Sequence, residues 1–218
     1  MLRNALRKIV LLVIKSLARL HVTGLENVPR RGGCLLAVNH LSRVDPALVF
    51  ALIDHRDDVT ALVTDKYQSN PLFRWLVEAV HGIWINREQA DFQALREARD
   101  FLQKGGALGI APEGTRSSTG GLIAAKTGVA YLAEKTGVPI IPVAITGTEK
   151  WLHELTRFRR PHLHVVFGEP FSLPSLDRRD RSLSLQRNTD KIMYRIAALL
   201  PPAYRGVYAS PNQPSRVA

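Results

Sequence analysis

The amino-acid sequence predicts an α/β fold: a mostly parallel central sheet with helices on both faces, preceded by an N-terminal basic amphipathic helix. Short apolar runs of strand length alternate with stretches of helical spacing along the 218 residues. Such repeated units of strand and helix favour a parallel sheet covered on both faces. The length suits one domain with a sizeable core. We expect an N-terminal helix in 1–22, a globular domain in 23–200 and a tail in 201–218.

Apolar runs and helical periodicity predict the individual elements. The pair Gly105-Gly106 ends the most clearly periodic helix. The segment from Pro201 onward carries four prolines and no pattern, which predicts a loosely ordered tail. The expected strands are 34–38, 59–63, 82–85, 107–110, 140–145 and 163–167, and the expected helices are 46–54, 70–80, 88–104, 127–136 and 179–200.

The net charge of +11 implies an anionic partner, and the N-terminus carries much of it. This segment has the pattern of a helix lying in a membrane interface, although docking on the core is the alternative. Its longest apolar run, 9–14, is far too short to span a bilayer, and no cleavage site of a secretory signal stands out. Leu2, Leu6, Ile9, Val13, Leu17 and Leu20 share one face, whereas Arg3, Arg7, Lys8, Lys15 and Arg19 share the other, together with Leu11 and Ile14.

His40 and Asp45 stand at a spacing that brings no two side chains together on a regular element. Five residues along a helix rotate a side chain by about 140°, and five along a strand reverse its face. The chain must therefore turn if the two side chains are to meet. Asp45-Pro46 is typical of an N-cap followed by the first helical residue. A strand, a turn and a helix in this order present catalytic groups at the carboxyl end of a strand in open α/β sheets.

A second polar segment, 111–117, follows the expected strand 107–110 and has the composition of an anion-binding turn. Gly114 allows close backbone approach, and the Arg116 guanidinium can donate two hydrogen bonds to a phosphate. The hydroxyls of Thr115 and Ser117 can donate as well.

Together these segments resemble the glycerolipid acyltransferase family, in particular its bacterial 1-acyl-glycerol-3-phosphate (lysophosphatidic acid) acyltransferases. Four motifs of that family occur in the right order between residues 39 and 143, with Trp84 where phenylalanine is more usual. The matches are Asn39, His40 and Asp45 for N-H-x4-D, 82–87 for G-x-x-F-I-x-R, 112–117 for P-E-G-T-R-S, and 138–143 for an apolar strand around a proline.

The resemblance implies an enzyme that moves a fatty acyl group from acyl-CoA or acyl-carrier protein to the 2-hydroxyl of 1-acyl-glycerol-3-phosphate, giving phosphatidic acid. It makes 23–200 an acyltransferase domain. His40 is then the base that takes the hydroxyl proton, because histidine changes charge near neutral pH, and Asp45 orients its ring. The thioester is a co-substrate, and we expect no resident cofactor and no metal. The expected location is the cytoplasmic face of the cell membrane, at an anionic lipid surface.

In the family the third motif and the arginine of the second bind the glycerol phosphate of the acceptor. A carboxylate cannot favour a phosphate directly, so Glu113 is expected to orient Arg116 or a loop amide, or to contact the glycerol. Glu88 offers Arg87 an ordinary local partner instead. The resemblance therefore implies phosphate binding by Arg87, Glu113, Gly114, Thr115 and Arg116, with Asn39, Ser117 and Lys126 as further contacts.

Several alternatives stay open at this point. Another lysolipid or an amino-lipid acceptor fits the same chemistry, whereas a non-catalytic lipid-binding relative is expected to lack His40 or Asp45. A nucleic-acid module would carry its charge along one groove with interleaved aromatic residues, which the sequence does not show. A hydrolase of the Gly-x-Ser-x-Gly type lacks its motif here.

Two remaining residue types carry weaker signals. The one cysteine, Cys34, excludes an internal disulfide, fits a reducing compartment and lies in an apolar run, which favours a buried thiol over a nucleophile. His162 and His164 alternate on an expected strand and would need a third ligand to bind a metal. The sequence does not identify that ligand.

Overall fold

The computed structural model describes residues 2–88, 91–177 and 179–210. A seven-stranded sheet, ordered β1-β7-β6-β2-β5-β3-β4, forms its centre. Neighbours from β6 to β4 pair in parallel, β7 is antiparallel to β6, and β1 is parallel to β7. The strands are β1 (Arg19–Thr23), β2 (Cys34–Val38), β3 (Val59–Thr64), β4 (Ile83–Ile85), β5 (Ala107–Ile110), β6 (Ile140–Thr146) and β7 (His162–Phe167).

Two layers of helices cover this sheet, so the predicted fold class is confirmed. Helices α4, α5 and α7 bury one face together with Leu35 and Leu108, whereas α1 and α2 bury the other with Leu36 and Ile141. The helices are α1 (Leu2–Leu17), α2 (Asp45–Leu52), α3 (Pro71–Ala79), α4 (Phe92–Gln103), α5 (Gly128–Thr136), α6 (Trp151–Thr156) and α7 (Arg181–Leu199).

The helix expected at the N-terminus ends at Leu17, and the residues after it form the edge strand β1. The period-two alternation of exposed Arg19, His21 and Thr23 with half-buried Leu20 and Val22 is the pattern of a strand. The sequence pattern places Leu20 on the apolar face of the helix, and this placement is wrong, because Leu20 lies in the sheet.

Other element boundaries also differ from the expectation. Helix α4 begins at Phe92 instead of 88, because the Asp91 carboxylate accepts a hydrogen bond from Ala94 N at 2.9 Å and caps the helix there. Helix α6 was not expected at all. The first residues of the expected loose tail pack as two 3-10 turns, Pro202–Tyr204 and Gly206–Tyr208, because Tyr208 inserts into the core beside α7. Residues 211–218 lie outside the described part of the chain.

Helix α1 docks on α2 through the face that carries an arginine, and not through the apolar face that the docking alternative would have used. Arg7 is only 2% exposed; its guanidinium donates to Arg56 O at 2.7 Å and lies 4.5 Å above the Phe50 ring. Ile14 and Ala18 are buried beside it. The apolar stripe is left exposed: Ile9 58%, Leu12 70%, Val13 46% and Leu17 39%. Among the described helices, none combines the length and hydropathy needed to cross a bilayer.

Candidate active site

The three polar motifs meet at one edge of the sheet. β2 and β5 are neighbours, and β3 separates β5 from β4. His40 lies two residues after β2, Glu113 three residues after β5, and Arg87 two residues after β4. Since the carboxyl ends of parallel strands share one edge, the three motifs lie at the same edge of the sheet, and we call the region between them the crevice.

The His40 ring and the Asp45 carboxylate are hydrogen-bonded across the turn. Nδ1 of His40 lies 2.9 Å from Oδ2 of Asp45. An ionised carboxylate only accepts hydrogen bonds, so the proton of a neutral ring sits on Nδ1 and Nε2 keeps its lone pair. Asp45 is buried, whereas the side chain of His40 is 13% exposed at the crevice. This geometry gives a base whose orientation is fixed by a carboxylate.

The Asp45 carboxylate also holds the turn itself. The same Oδ2 accepts from Leu41 N at 2.8 Å and from Ser42 N at 2.7 Å. Asp45 is the first residue of α2, after the N-cap position Val44, and not the N-cap that Asp45-Pro46 suggests. Its carboxylate therefore accepts hydrogen bonds from the backbone amides of Leu41 and Ser42, which precede the helix, and not from amides of the first helical turn. Asp45 therefore positions His40 in two ways, through the ring and through the backbone of the turn.

Asn39 ties the strand that precedes the turn to its neighbour β6. Its amide nitrogen donates to Ile145 O at 2.9 Å, and its amide oxygen accepts from Ile145 N at 2.7 Å. The side chain is fully buried. Both polar atoms of the Asn39 side chain are thus hydrogen-bonded to the backbone of Ile145. Asn39 therefore fixes the position at which the chain leaves the sheet before His40.

Glu113 joins the two motif loops through backbone amides. Oε1 accepts from His40 N at 2.9 Å, and Oε2 accepts from Ile123 N at 3.1 Å. The side chain is 3% exposed, and burial raises its pKa to about 7 despite these two hydrogen bonds. Of the roles considered for Glu113, the orientation of a loop amide is therefore the one that the geometry favours.

The Glu113 carboxyl makes stability depend on pH in a defined direction. Its pKa rises from 4.5 unfolded to about 7 folded, so the folded chain binds the proton more tightly. Its contribution is full below pH 4.5 and is lost as the pH rises through 7, by at most about 3 kcal/mol. We expect the free energy of unfolding, measured with urea, to fall more between pH 5 and pH 8 for wild type than for Glu113→Gln. The exposed Glu97→Gln should match wild type, and equal slopes for all three would contradict this assignment.

The loop after β5 is shaped around Gly114 and Ser117. Gly114 has a φ of +69°, and a Cβ there would lie 3.1 Å from Cδ of Lys126. Ser117 N donates to His40 O at 2.9 Å, and its hydroxyl donates to Gly121 O at 2.6 Å. Ser117 thus fastens this loop to the turn that carries His40. Thr115 is exposed on the same loop.

The motif residues Arg87 and Arg116 lie close together beside the loop, and Lys126, which is outside the motifs, joins them. Burial lowers the pKa of Arg87, the nearby charge of Arg116 lowers it further, and Tyr67 and Asp65 act in the opposite direction. The ammonium of Lys126 donates to Arg87 O at 2.9 Å. Within 2–88, 91–177 and 179–210, neither Arg87 nor Arg116 forms an ion pair. Glu88, the alternative partner of Arg87, binds Lys66 at 2.9 Å instead. Mutually repelling cations without carboxylate partners favour an anion.

Sequence reasoning missed one group at this place, the pair Arg43 and Tyr67. The guanidinium of Arg43 lies 5.4 Å from the centre of the Tyr67 ring, and Tyr67 in turn is close enough to Arg87 to raise its pKa. Arg43 lies inside the first motif, between His40 and Asp45. The charge of Arg43 inside the first motif was the signal from which a functional role could have been predicted. Its contact with Tyr67 could not be predicted, because the sequence does not show that β3, which precedes Tyr67, lies between β5 and β4.

Comparison with known proteins agrees with this geometry. The family model described as Acyltransferase matches residues 19–146, from the first residue of β1 to the last of β6. A 1-acyl-sn-glycerol-3-phosphate acyltransferase of Borreliella burgdorferi is 29% identical over 132 residues, 60% of this chain and 52% of that protein. One of Cocos nucifera is 35% identical over 136 residues, 61% of this chain and 44% of that protein. The chain thus spans about half the length of these curated relatives.

A solved structure has the same fold. The crystal structure of the 1-acyl-sn-glycerophosphate acyltransferase of Thermotoga maritima aligns with a TM-score of 0.65 and 24% identity, over 87% of this chain and 78% of that one. The resemblance seen in the motifs is confirmed by the family match, which covers more than half of the chain. The chain belongs to the acyltransferase family.

Proposed function

We propose that this protein transfers a fatty acyl group from acyl-CoA or acyl-carrier protein to the 2-hydroxyl of 1-acyl-glycerol-3-phosphate, with phosphatidic acid as the product. The observation that carries the proposal is the His40–Asp45 pair, 2.9 Å apart, in one crevice with the unpaired cations Arg87 and Arg116. A base and an anion site side by side fit an acceptor that carries both a hydroxyl and a phosphate. The relatives named above support the same substrate.

The reaction follows from the free Nε2 of His40. This nitrogen takes the proton of the acceptor hydroxyl while the oxygen attacks the thioester carbonyl carbon. The tetrahedral intermediate then collapses, the C–S bond breaks, and the thiolate receives the proton from the imidazolium. Asp45 stabilises the positive charge that the ring carries in between. The thioester is consumed as a co-substrate, and these steps require no resident cofactor and no metal.

The acceptor phosphate would lie between Arg87 and Arg116, with Lys126 beside them and Gly114 and Thr115 lining the loop. Glu113 supports this arrangement indirectly, since it holds the backbone of His40 and Ile123. Asn39 and Ser117 likewise position the loops. In this proposal His40 and Asp45 react, the cations bind the phosphate, and the side chains of Asn39, Glu113 and Ser117 hold the loops in place.

The test is identification of the product by mass spectrometry. Purified protein is supplied with one labelled acyl donor, acyl-CoA or acyl-carrier protein, and one acceptor in mixed micelles. Labelled phosphatidic acid from 1-acyl-glycerol-3-phosphate is the expected result, and the productive donor identifies the thioester used. Exclusive acylation of a lysolipid without phosphate, or of an amino-lipid, would replace the proposed acceptor. Binding of lipid or nucleic acid without any acyl product would point to a non-catalytic protein.

We further propose that the protein works at an anionic membrane surface, on its cytoplasmic face, and that α1 contacts the lipid. The helix docks through Arg7, Ile14 and Ala18, so docking and interfacial binding use different faces. Exposed Lys8 and Lys15 lie next to each other along one border of its exposed apolar stripe. An apolar face flanked by basic residues is typical of helices that lie in a membrane interface.

Leu12→Glu tests this contact. Leu12 is 70% exposed, so the substitution should leave the fold unchanged but remove one buried leucine from the lipid contact and add a repelling charge. We expect partition onto phosphatidylglycerol vesicles to fall at least about tenfold, measured by co-sedimentation. Leu152→Glu on α6 is the matched control, since Leu152 is 71% exposed. Equal effects of both variants, or no effect of either, would refute the role of α1.

A further inference from the structure

The edge strand β1 supplies the third histidine that the sequence left unidentified. His162 and His164 alternate on β7 and point to the same side of the sheet. His21 lies on the neighbouring strand β1 and is in register with His164. All three side chains are exposed. Because β1 was not predicted from the sequence, nothing there brought His21 next to this pair.

The three rings are close and nearly parallel. The centre of the His21 ring lies 4.8 Å from that of His164, with 13° between the planes, and 6.0 Å from that of His162, with 4° between the planes. One ring nitrogen of each residue lies within 4.8 Å of the other two. In a tetrahedral site with metal–nitrogen bonds of about 2.0–2.1 Å, the nitrogens are roughly 3.4 Å apart. The exposed rings would have to rotate about their side-chain bonds to close this gap and to direct these nitrogens at one ion.

We propose that His21, His162 and His164 form a binding site for a divalent transition-metal ion, with Zn²⁺ as the ion that fits best. Imidazole is a good ligand for zinc and a poor one for Mg²⁺ or Ca²⁺, which prefer oxygen ligands. Three histidines on adjacent strands leave the fourth position open to solvent. Arg19, in register with His162 on the exposed side of β1, favours water-derived hydroxide or another anion at that position.

The lowered pKa of His164 is consistent with this close arrangement of rings. Burial lowers the pKa of His164, and the neighbouring His21 and His162 lower it further. A neutral ring is the form that coordinates a metal.

A metal at this site would cross-link the edge strand β1 to the rest of the sheet. β1 lies at the edge of the sheet and pairs only with β7 among the described strands. A metal held by His21 on one strand and by His162 and His164 on the other cross-links the two. Since α1 leads directly into β1, the ion would fasten the N-terminal segment, with its exposed apolar stripe, to the domain.

The experiment is titration of the tag-free, metal-stripped full chain with Zn²⁺ by calorimetry. We expect one ion per chain at micromolar affinity. His21→Ala, His162→Ala and His164→Ala should each weaken binding by at least about tenfold. His153→Ala, which removes an exposed histidine outside the cluster, should bind as wild type does. Substoichiometric binding, undiminished binding by His21→Ala, or an equal loss in His153→Ala would overturn the proposal.

Two readouts independent of activity complete the test. Co²⁺ bound to the wild-type chain should give the intense visible absorption of a tetrahedral site, and this absorption should vanish in His164→Ala. Zn²⁺ should also slow amide hydrogen exchange in Arg19–Thr23 of wild type but not of His21→Ala. Unchanged exchange in the presence of bound Zn²⁺ would contradict the cross-link between β1 and β7.

Discussion

Replacing His40 with alanine is expected to lower the rate of acyl transfer by about 10²–10⁴-fold, because it removes the group that we propose takes the proton of the acceptor hydroxyl. The side chain contacts Asp45 and lies at the open crevice, so the fold should persist. The measurement is the initial rate of phosphatidic acid formation, with circular dichroism as the check on folding. A rate within a few-fold of wild type would mean that His40 is not the base.

Asp45→Asn is a less specific probe of the same pair. Oδ2 of Asp45 accepts from the His40 ring and also from Leu41 N and Ser42 N. A substitution there disturbs the turn as well as the ring, and a loss of rate would not separate the two effects. For this reason the prediction rests on His40, whose side chain has one partner in the described structure.

Replacing Arg116 with alanine is expected to raise the KM for 1-acyl-glycerol-3-phosphate by about 10–100-fold, because a charge-assisted hydrogen bond is worth about 1.5–3 kcal/mol. The KM for the acyl donor should stay unchanged. Arg87→Ala should act in the same direction, since the two guanidinium groups lie close enough to influence each other. Steady-state kinetics with each substrate varied in turn measures both effects.

The control for these variants is Arg157→Ala, which removes an exposed arginine after α6, remote in sequence from all motifs of the crevice. It should leave both KM values at their wild-type levels. A rise in the donor KM with an unchanged acceptor KM in Arg116→Ala would move the arginine from the acceptor site to the donor site. No change in either value would remove Arg116 from substrate binding.

Much of the crevice could be predicted from the sequence because its residues follow apolar strands directly. The turn between His40 and Asp45 follows from their spacing, and its position after β2 follows from the run Cys34–Val38. The order of strands in the sheet could not be predicted in this way. That β2 lies beside β5, and that β3 separates β5 from β4, depends on packing between distant segments.

The N-terminal segment shows where periodicity alone is insufficient. Hydrophobicity predicted a helix in a membrane interface or, as the alternative, a helix that docks through the face of Ile9, Val13 and Leu17. In the structure α1 docks through Arg7 and Ile14 instead, and the apolar stripe stays exposed. Arg7 is accepted in this interface because its charge reaches Arg56 O and the Phe50 ring. A buried arginine with such partners cannot be recognised from helical spacing, because the partners lie about fifty residues further along the chain.

The backbone partners of Glu113 and Asn39 were equally out of reach of sequence reasoning. Both residues belong to motifs, which suggested a substrate contact for Asn39 and, for Glu113, either such a contact or the orientation of Arg116 or of a loop amide that the sequence could not identify. In the structure their side chains are buried and hold main-chain groups of His40, Ile123 and Ile145. Residues of a motif can thus serve the geometry of a site without facing its ligand.

The most direct test of the central claim is thiol release from acyl-CoA, or from acyl-carrier protein, with and without 1-acyl-glycerol-3-phosphate in mixed micelles. The His40–Asp45 pair beside Arg87 and Arg116 predicts release that requires the phosphorylated acceptor and is lost in His40→Ala. Release at the same rate without acceptor would instead make the protein a thioesterase and contradict the account.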